Sequence, residues 1–345
     1  MYNKPRLAVM SPFVSSGCYD VFTGYVKAFR LLGYKTDTIL GHLIYRDWSE
    51  YYRFFAIVNG APGFSYTQET IVKSASLNLV LKVMESDPDV LIIIDGSSIH
   101  KDAWEWFRRL GIKTIVVNTE SPYQDKFITH INELVFKSFT NEFTTSERTG
   151  IEYLPVGYDS EAHHPMMVDT SYRKDIIFID SGFPERVEIL NGVNWDGVDF
   201  EFYGYYPINE KHKLAEYYKG TNIPNAETAL YYNGSKISLN LNRVSVDYDG
   251  STSIPEAVSL SPRAYEIAAC GGFMISQYRP EIESIFGDLV PTFNTSEELD
   301  YLIRYWLDKE RDKRRLETGR ALAEIVKPHS YIERAKHILR AMDSL

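Results

Sequence analysis

The sequence has few cysteines and no long apolar run. Cys18 and Cys270 are the only cysteines among 345 residues, so a disulfide framework is excluded as the basis of the fold. No segment approaches about 18 consecutive apolar residues, so no membrane-spanning helix is indicated. The first residues, Met-Tyr-Asn-Lys-Pro-Arg, lead directly into a strand pattern and do not resemble a signal peptide. These features predict a cytoplasmic protein with reduced thiols.

Several cofactor and catalytic motifs are absent as well. Neither half has G-x-G-x-x-G after its first strand, and the chain lacks G-x-x-x-x-G-K-[ST], H-E-x-x-H, C-x-x-C and G-x-S-x-G. A dehydrogenase-type dinucleotide site is therefore poorly supported, and the absence of the other motifs argues against the enzyme classes that they mark.

Charge and aromatic content narrow the choice of partners. The net charge of −10 argues against a broad phosphate-binding surface for nucleic acid, although it is compatible with a local basic cleft. The 25 tyrosines and 18 phenylalanines suit flat ligands such as bases and sugars, but a large aromatic core explains the same counts.

The chain alternates apolar strands with helices, which predicts parallel sheets covered on both faces. In the first half the predicted strands are Leu7–Met10, Asp89–Ile94, Lys113–Val117, Leu134–Phe139 and Glu152–Leu154, with helices at Val21–Leu32 and Trp104–Leu110. In the second half the predicted strands are Asp175–Asp180, Val198–Tyr203, Lys236–Leu241, Phe273–Ile275 and Leu289–Val290. Helices are predicted there at Pro184–Leu190, Ala226–Tyr232, Arg263–Cys270 and Ser296–Asp308.

This restart of the pattern predicts an α/β fold with two Rossmann-like, doubly wound domains and a ligand cleft between them. We place the first domain at residues 1–160 and the second at 170–325, with the polar stretch Gly157–Lys174 as the linker. Residues 326–345 form a C-terminal helical segment, interrupted near Pro328, that could cross back to the first domain.

Four segments of the second half carry a family resemblance through their order and spacing. They are Asp180–Arg186, Tyr203–Gly204, Ser235–Asn242 and Arg263–Gly272. Together they resemble the donor domain of GT-B glycosyltransferases, in particular the spore-maturation CgeB-like branch of the group 1 enzymes. The first half is similar around Pro88–Leu91, Asn141–Glu142 and Tyr153–Gly157. The resemblance covers most of the chain and implies transfer of a sugar from a nucleotide-diphosphate donor.

The resemblance implies roles for three charged residues. Glu266 matches the glutamate that accepts hydrogen bonds from the ribose hydroxyls, a task that suits the two oxygens of a carboxylate. Arg186 matches the basic residue that meets the diphosphate, and Arg263 is a second candidate. The alternative for Glu266 is a glutamate that is favoured near a helix N-terminus by the helix dipole. The alternative for Arg186 is a solvated charge on a helix surface.

Six further positions are candidates for contacts with the nucleotide sugar. They are Gly182, Tyr203, Gly204, Asn225, Gly271 and Gly272. The glycines would let backbone N–H groups approach phosphate and sugar, although ordinary turns use glycine too. The Tyr203 ring could stack on uracil or belong to the core, and Asn225 opens a helix that borders the base in this family.

The sequence departs from the family at one position and offers no convincing metal site. Many related retaining enzymes carry a second glutamate eight residues before the first, but Val258 stands there, so the stereochemical outcome is open. The D-x-D sequence Asp247-Tyr-Asp249 lies in a polar loop, and His163-His164 suits a solvated turn. The resemblance implies no required metal or other cofactor.

Acid–base candidates for the acceptor hydroxyl lie near strand ends of the first domain. They are Asp20, Asp95, His100 and Glu120, of which Asp20 is the first choice. Asp20 and Asp95 could equally be helix caps, and His100 could be an ordinary surface histidine.

The predicted function is metal-independent transfer of a sugar from a nucleotide-diphosphate donor to an acceptor hydroxyl in the cleft. A UDP-sugar is the favoured donor. A glycan, a protein, a small molecule or a modified DNA base is conceivable as acceptor, the last requiring base flipping. The alternatives are a non-catalytic protein that binds sugar nucleotides or glycans with a GT-B shell, and an NAD-type oxidoreductase.

Overall fold

The structure, a computed structural model, describes residues 4–13, 18–59, 66–221, 223–247, 249–254 and 256–343. The predicted loop residues Ser15, Ser16 and Gly17 lie outside this part of the chain, as does Tyr248 of the acidic loop. The chain forms two compact units, Met1–Pro155 together with Arg334–Leu345, and Val156–Glu333. The segment interpreted as a linker, Gly157–Lys174, thus belongs to the second unit.

The first unit is built on a parallel sheet of six strands. The strands are β1 (Leu7–Met10), β2 (Thr36–Ile39), β3 (Val90–Ile94), β4 (Lys113–Asn118), β5 (Lys137–Thr140) and β6 (Glu152–Tyr153). The helices are α1 (Tyr19–Leu31), α2 (Gly41–Asn59), α3 (Gln68–Ser86), α4 (Lys101–Arg109), α5 (Asp125–Leu134) and α6 (Phe143–Thr149).

The strand order of the first sheet is β2-β1-β3-β4-β5-β6. Every residue of β1 and β3 is buried, as expected for central strands that are covered on both faces. The chain leaves β1 in one direction to form β2 and returns on the other side to form β3. The point where the order reverses therefore lies between β1 and β3, and ligands of doubly wound sheets bind beyond the carboxyl ends of such strands.

The second unit repeats this architecture with a second parallel six-stranded sheet. Its strands are β7 (Ile176–Ile179), β8 (Phe200–Tyr203), β9 (Tyr218–Gly220), β10 (Ile237–Asn240), β11 (Met274–Gln277) and β12 (Thr292–Phe293). Its helices are α7 (Pro184–Gly192), α8 (Asn225–Gly234), α9 (Pro262–Ala269), α10 (Pro280–Phe286), α11 (Ser296–Leu307) and α12 (Asp312–Ile325).

The second sheet has the order β12-β11-β10-β7-β8-β9. Numbered from its own first strand, this is the 3-2-1-4-5-6 order of dinucleotide-binding folds, read from the other edge. Its reversal point lies between β7 and β10, which pair through Ile237 with Ile176 and Ser238 with Ile177. The prediction of two doubly wound α/β domains is confirmed.

The last helix, α13 (Tyr331–Asp343), begins in the second unit and ends in the first. It follows a short turn of 3-10 helix that contains Pro328, which separates it from α12. Ala335 and Ile338 are fully buried, and His337 stacks edge-on against Phe139 of β5. The chain end is therefore part of the first unit's core.

The last strand of the second sheet differs from its prediction. Gly287–Leu289 form a turn of 3-10 helix, and the strand begins at Thr292 instead of Leu289. Pro291 explains the shift, because it has no N–H to donate to a neighbouring strand. None of the helices in the described part of the chain is long and apolar enough to cross a membrane.

Candidate active site

Polar side chains gather at the reversal point of the second sheet. Asp180 follows β7 directly, and α9 begins at Pro262 after the long connection from β10. The Asp180 carboxylate forms ion pairs with two arginines through the same oxygen, Oδ2. Arg186 reaches it from α7 at 2.8 Å, and Arg263 reaches it from the first turn of α9. One carboxylate therefore organises two cations, and the group keeps an excess positive charge.

Arg186 is buried and committed to the protein itself. Its side chain is 4% exposed, Nε donates to the Asn242 carbonyl oxygen at 3.1 Å, and Nη1 donates to the Ser181 carbonyl oxygen at 2.9 Å. These bonds tie the turn after β7 to the end of β10. The Arg186 guanidinium therefore has a structural task, and its predicted role in meeting the diphosphate stays a prediction.

Arg263 is better placed to meet a phosphate group. Its side chain is 19% exposed, so part of the guanidinium faces solvent. Besides the ion pair with Asp180, its Nε donates to the Tyr232 hydroxyl at 3.3 Å. Five N–H groups are available on an arginine, and these two contacts leave donors for a ligand.

Glu266 lies one helical turn after Arg263, on the same face of α9. It is 7% exposed, yet its carboxylate accepts no hydrogen bond from the described residues. Burial raises the pKa of Glu266 to about 7, the charge of Arg263 opposes this, and Asp180 and Asp159 raise it further. A buried carboxylate without a donor is costly, so this site is suited to a ligand that brings hydroxyl donors.

Tyr203 and Asn225 are occupied within the protein. The Tyr203 hydroxyl lies 2.6 Å from the Tyr231 hydroxyl and donates to Glu201 at 3.1 Å, and burial raises its pKa. The core alternative therefore describes Tyr203 better than base stacking. Asn225 opens α8, and its carbonyl oxygen accepts a hydrogen bond from the Thr228 hydroxyl at 2.7 Å.

Gly182 and Gly204 serve close packing at the end of β7. A Cβ on Gly182 would lie 2.2 Å from the Tyr206 ring, and the Gly182 N–H donates to the Tyr205 carbonyl oxygen at 2.8 Å. A Cβ on Gly204 would lie 1.9 Å from the Asp180 carbonyl oxygen, and its φ is +134°. The Gly182 N–H predicted to face phosphate is therefore already used.

Gly271 and Gly272 lie at the wrong end of α9 for the predicted phosphate contact. They precede β11, at the amino edge of the sheet, whereas Arg263 lies at the carboxyl edge. Their N–H groups donate to the carbonyl oxygens of Ala268 and Ile267, at 2.9 and 3.0 Å, and so close the helix. We therefore correct their predicted role, because both are helix-stop residues.

The acidic loop provides no metal site in the described chain. The Asp249 carboxylate accepts the Ser251 N–H at 2.9 Å, which is a local turn contact. Among the described residues, no group of three or more His, Cys, Asp or Glu side chains is placed to hold a metal ion.

Two of the four acid–base candidates meet at the carboxyl edge of the first sheet. Asp95 follows β3 and Glu120 follows β4, and these strands are neighbours. Burial raises the pKa of Asp95 to about 6, the charge of Glu120 adds to this, and hydrogen bonds from Ser97 oppose it. A carboxylate that titrates near neutrality is a suitable general base.

The other two candidates occupy helix starts. Asp20 lies in the first turn of α1 and is partly exposed, with its carbonyl oxygen accepting from the Thr23 hydroxyl at 3.0 Å. His100 is the N-cap of α4, and its Nδ1 accepts the Asp102 N–H at 3.2 Å. Capping therefore accounts for His100, and the geometry favours Asp95 and Glu120 over Asp20, our first choice from sequence.

Sequence reasoning missed Asp180 and Cys18. Asp180 stands within a quoted segment but received no role, although an acidic residue directly after the first strand of a unit is a recognisable signal. The Cys18 thiol donates to Glu120 across 102 positions of sequence, and no local pattern reveals such a contact.

Comparisons with known proteins point to one family. Residues 186–340 match the family model described as "Glycosyl transferase-like". The spore protein CgeB of Bacillus subtilis is 22% identical over 228 residues, which cover 61% of this chain and 71% of that protein.

Solved structures share the fold over nearly the whole chain. UDP-GlcNAc 2-epimerase from Neisseria meningitidis, bound to UDP-GlcNAc, matches with a TM-score of 0.57 and 10% identity over 98% of this chain and 99% of that chain. The α,α-trehalose 6-phosphate synthase from Burkholderia multivorans matches with a TM-score of 0.57 and 10% identity over 99% of both chains. Residues 186–340 are thus similar to glycosyl transferases, and the chain as a whole shares the two-domain α/β fold of these solved structures.

Proposed function

We propose that this protein is a glycosyltransferase that uses a UDP-sugar as its donor and transfers the sugar to an acceptor hydroxyl without a metal ion. The observation that carries the proposal is Glu266, a buried carboxylate with no hydrogen-bond donor among the described residues, one turn after the partly exposed Arg263. In this proposal Glu266 accepts both ribose hydroxyls, and Arg263 binds the diphosphate.

The electrostatics of the second unit support binding without a metal. Two arginines share one aspartate, and the N-terminus of α9, the positive end of its helix dipole, lies beside them. A diphosphate would add the negative charge that this group lacks. The UDP-GlcNAc present in the solved epimerase structure supports a uridine nucleotide as the ligand of this fold.

The acceptor side of the proposal rests on the first unit. Asp95 and Glu120 lie at the carboxyl edge of its sheet, next to the reversal point between β1 and β3. We assign the deprotonation of the acceptor hydroxyl to this carboxylate pair. The reaction then forms a bond from the acceptor oxygen to the anomeric carbon of the sugar and releases UDP.

Thermal unfolding with UDP tests the donor site. A ligand at one hundred times its Kd stabilises the folded state by about 2.7 kcal/mol, which corresponds to a rise of several degrees in Tm. We expect UDP to raise Tm for the wild type and not for Glu266→Ala. Glu283→Ala, at an exposed position of α10, is the matched control and should respond as the wild type does. Absence of a shift with every nucleoside diphosphate would refute the proposal.

A further inference from the structure

The carboxyl edge of the first sheet contains a chain of hydrogen bonds that reaches the carboxylate pair. Cys18 lies at the start of α1, is 4% exposed, and donates from Sγ to Glu120 Oε1 at 3.0 Å. The Thr119 hydroxyl in turn donates to Cys18 Sγ at 3.1 Å. A thiol is a weak donor, but a hydrogen bond to a charged acceptor is stronger than one between neutral groups. Cys18 therefore holds one oxygen of Glu120 in a defined place.

Asp95 is held at the same edge by its backbone. It is 6% exposed and its φ is +56°, a conformation that residues other than glycine seldom adopt. Its N–H donates to the Val117 carbonyl oxygen at 2.9 Å, and its Oδ1 accepts the Ser97 N–H at 3.1 Å. The Asp95 carboxylate is thus positioned next to the end of β4, from which Glu120 follows two residues later.

Two buried polar atoms at this strand end have no partner among the described residues. They are Oδ1 of Asn118, which is 2% exposed, and Oγ of Ser121, which is 4% exposed. Native proteins rarely leave buried polar atoms unpaired, so the site lacks a hydrogen-bonding group. A hydroxyl-bearing molecule, or water in its place, would supply that group.

We propose that Cys18 is a positioning residue, whose hydrogen bond keeps Glu120 beside Asp95 so that the pair can take the proton of the acceptor hydroxyl. This inference rests on the proposed function, because it assigns the acceptor chemistry to this edge. The hydroxyl proton passes to Asp95, the acceptor oxygen bonds to the anomeric carbon, and the bond from that carbon to the diphosphate oxygen breaks. UDP leaves with the electron pair.

Titration of Asp95 tests the inference without any substrate. Full-length protein labelled with 13C in aspartate carboxyl groups is titrated by NMR, and Asp95→Asn identifies the signal. Other titratable groups at the carboxyl edge of this sheet include Cys18 and Asp20 at the start of α1, His42 at the start of α2 and His100 at the start of α4. Glu120 is the group whose charge raises the pKa of Asp95. We expect a midpoint of about 6 in the wild type and in Cys18→Ser, which keeps a donor.

Loss of the donor should move the Asp95 midpoint downward. Glu120→Gln removes the neighbouring charge, and Cys18→Ala lets that charge move away, so both should lower the midpoint by roughly half a pH unit or more. An unchanged midpoint in Cys18→Ala, with a lowered one in Glu120→Gln, would overturn the role of Cys18. No change in either variant would overturn the coupling of the two carboxylates.

Two further measurements separate the possible outcomes. If Cys18→Ala does not fold, Thr119→Val removes the hydroxyl that donates to Sγ and should lower the midpoint in the same direction. UDP should raise the Tm of Cys18→Ala as it does for the wild type, because its proposed site lies in the second unit. Failure of UDP to stabilise the wild type would refute the proposed function, whereas the Asp95 titration decides the role of Cys18 independently.

Discussion

At the scale of single residues, the second unit gives its two arginines different tasks. Arg186 is buried and binds two carbonyl oxygens and a carboxylate, whereas Arg263 is partly exposed beside Glu266, whose carboxylate has no donor in the described part of the chain. Sequence alone ranked Arg186 first, because its position matches the family. The burial of its side chain, which depends on the fold, reverses that order.

Substitution of the two arginines should separate binding from stability. We expect Arg186→Ala to lower the free energy of unfolding by about 3 kcal/mol, because Asp180 and two carbonyl oxygens lose a buried partner. Arg263→Ala should weaken UDP binding by about tenfold or more, through loss of charge-assisted bonds, with a smaller effect on unfolding. Urea unfolding and calorimetric UDP titration measure the two effects. A reversed pattern would contradict the assignment.

Glu266 should make UDP binding depend on pH near neutrality. Its pKa in the folded protein, about 7, lies above its ordinary value of 4.5, so its contribution to stability is largest below about pH 4.5 and is lost as the pH rises towards 7. Ribose hydroxyls prefer the ionised carboxylate, so UDP affinity should rise roughly tenfold from pH 6 to pH 8 beyond the change caused by the phosphate groups.

Glu266→Gln is the control for this pH dependence. Calorimetry at pH 6 and pH 8 compares the two proteins with the same nucleotide, and the titration of UDP itself is common to both. We expect the steeper dependence in the wild type only. Equal slopes in the two proteins would show that Glu266 does not contact the nucleotide in its ionised form.

At the scale of elements, the turn after β8 determines where Asp180 lies. Gly204 has its φ at +134°, and its missing Cβ leaves room for the Asp180 carbonyl oxygen. Gly220, at the end of the neighbouring strand β9, has a similar φ of +150° but nothing within 4 Å of its Cβ position. The pair therefore separates the cost of backbone conformation from the cost of a steric clash.

Alanine at these two glycines should have unequal effects. Gly220→Ala should lower the free energy of unfolding by about 1–3 kcal/mol, because alanine adopts this backbone conformation unfavourably. Gly204→Ala should cost clearly more and should also weaken UDP binding, because the end of β7 must shift and Asp180 with it. Denaturant unfolding and UDP titration of both variants give the comparison. Equal losses of stability would contradict the steric argument.

Strands that are long and fully apolar could be predicted from sequence, and short or interrupted ones could not. The apolar sequence of β3, Val-Leu-Ile-Ile-Ile, predicts a buried strand. The sequence analysis did not predict β9, which has three residues, or the helices α2 and α3. Glu266 was found through the family resemblance. Gly271 and Gly272 are close to Glu266 in sequence, but they lie beyond the C-terminal end of α9, whereas Arg263 lies in its first turn.

At the scale of the whole molecule, the two ends of the chain complete one unit. Residues 334–345 join the first unit, where Ile338 is fully buried and His337 pairs with Glu152 of β6 at 2.5 Å. The second unit, in contrast, is a single continuous stretch of chain.

A substitution near the C-terminus should therefore destabilise the first unit. Ile338→Ala should cost about 2–5 kcal/mol through loss of buried volume. Hydrogen exchange should show faster exchange in β3–β5, while UDP still stabilises the second unit. Arg340→Ala, at an exposed position of the same helix, is the control and should change little. Faster exchange confined to the second unit would contradict the assignment of α13.

The passage of α13 from one unit to the other also bears on protein synthesis. A ribosome releases the N-terminal residues first, and domains generally fold as units when their chain is complete. Here the first unit lacks its last helical segment until residues 334–345 emerge, whereas every residue of the second unit precedes them. The second unit can therefore finish folding earlier, and a chain that stops short of α13 leaves an apolar surface exposed on the unit that was begun first.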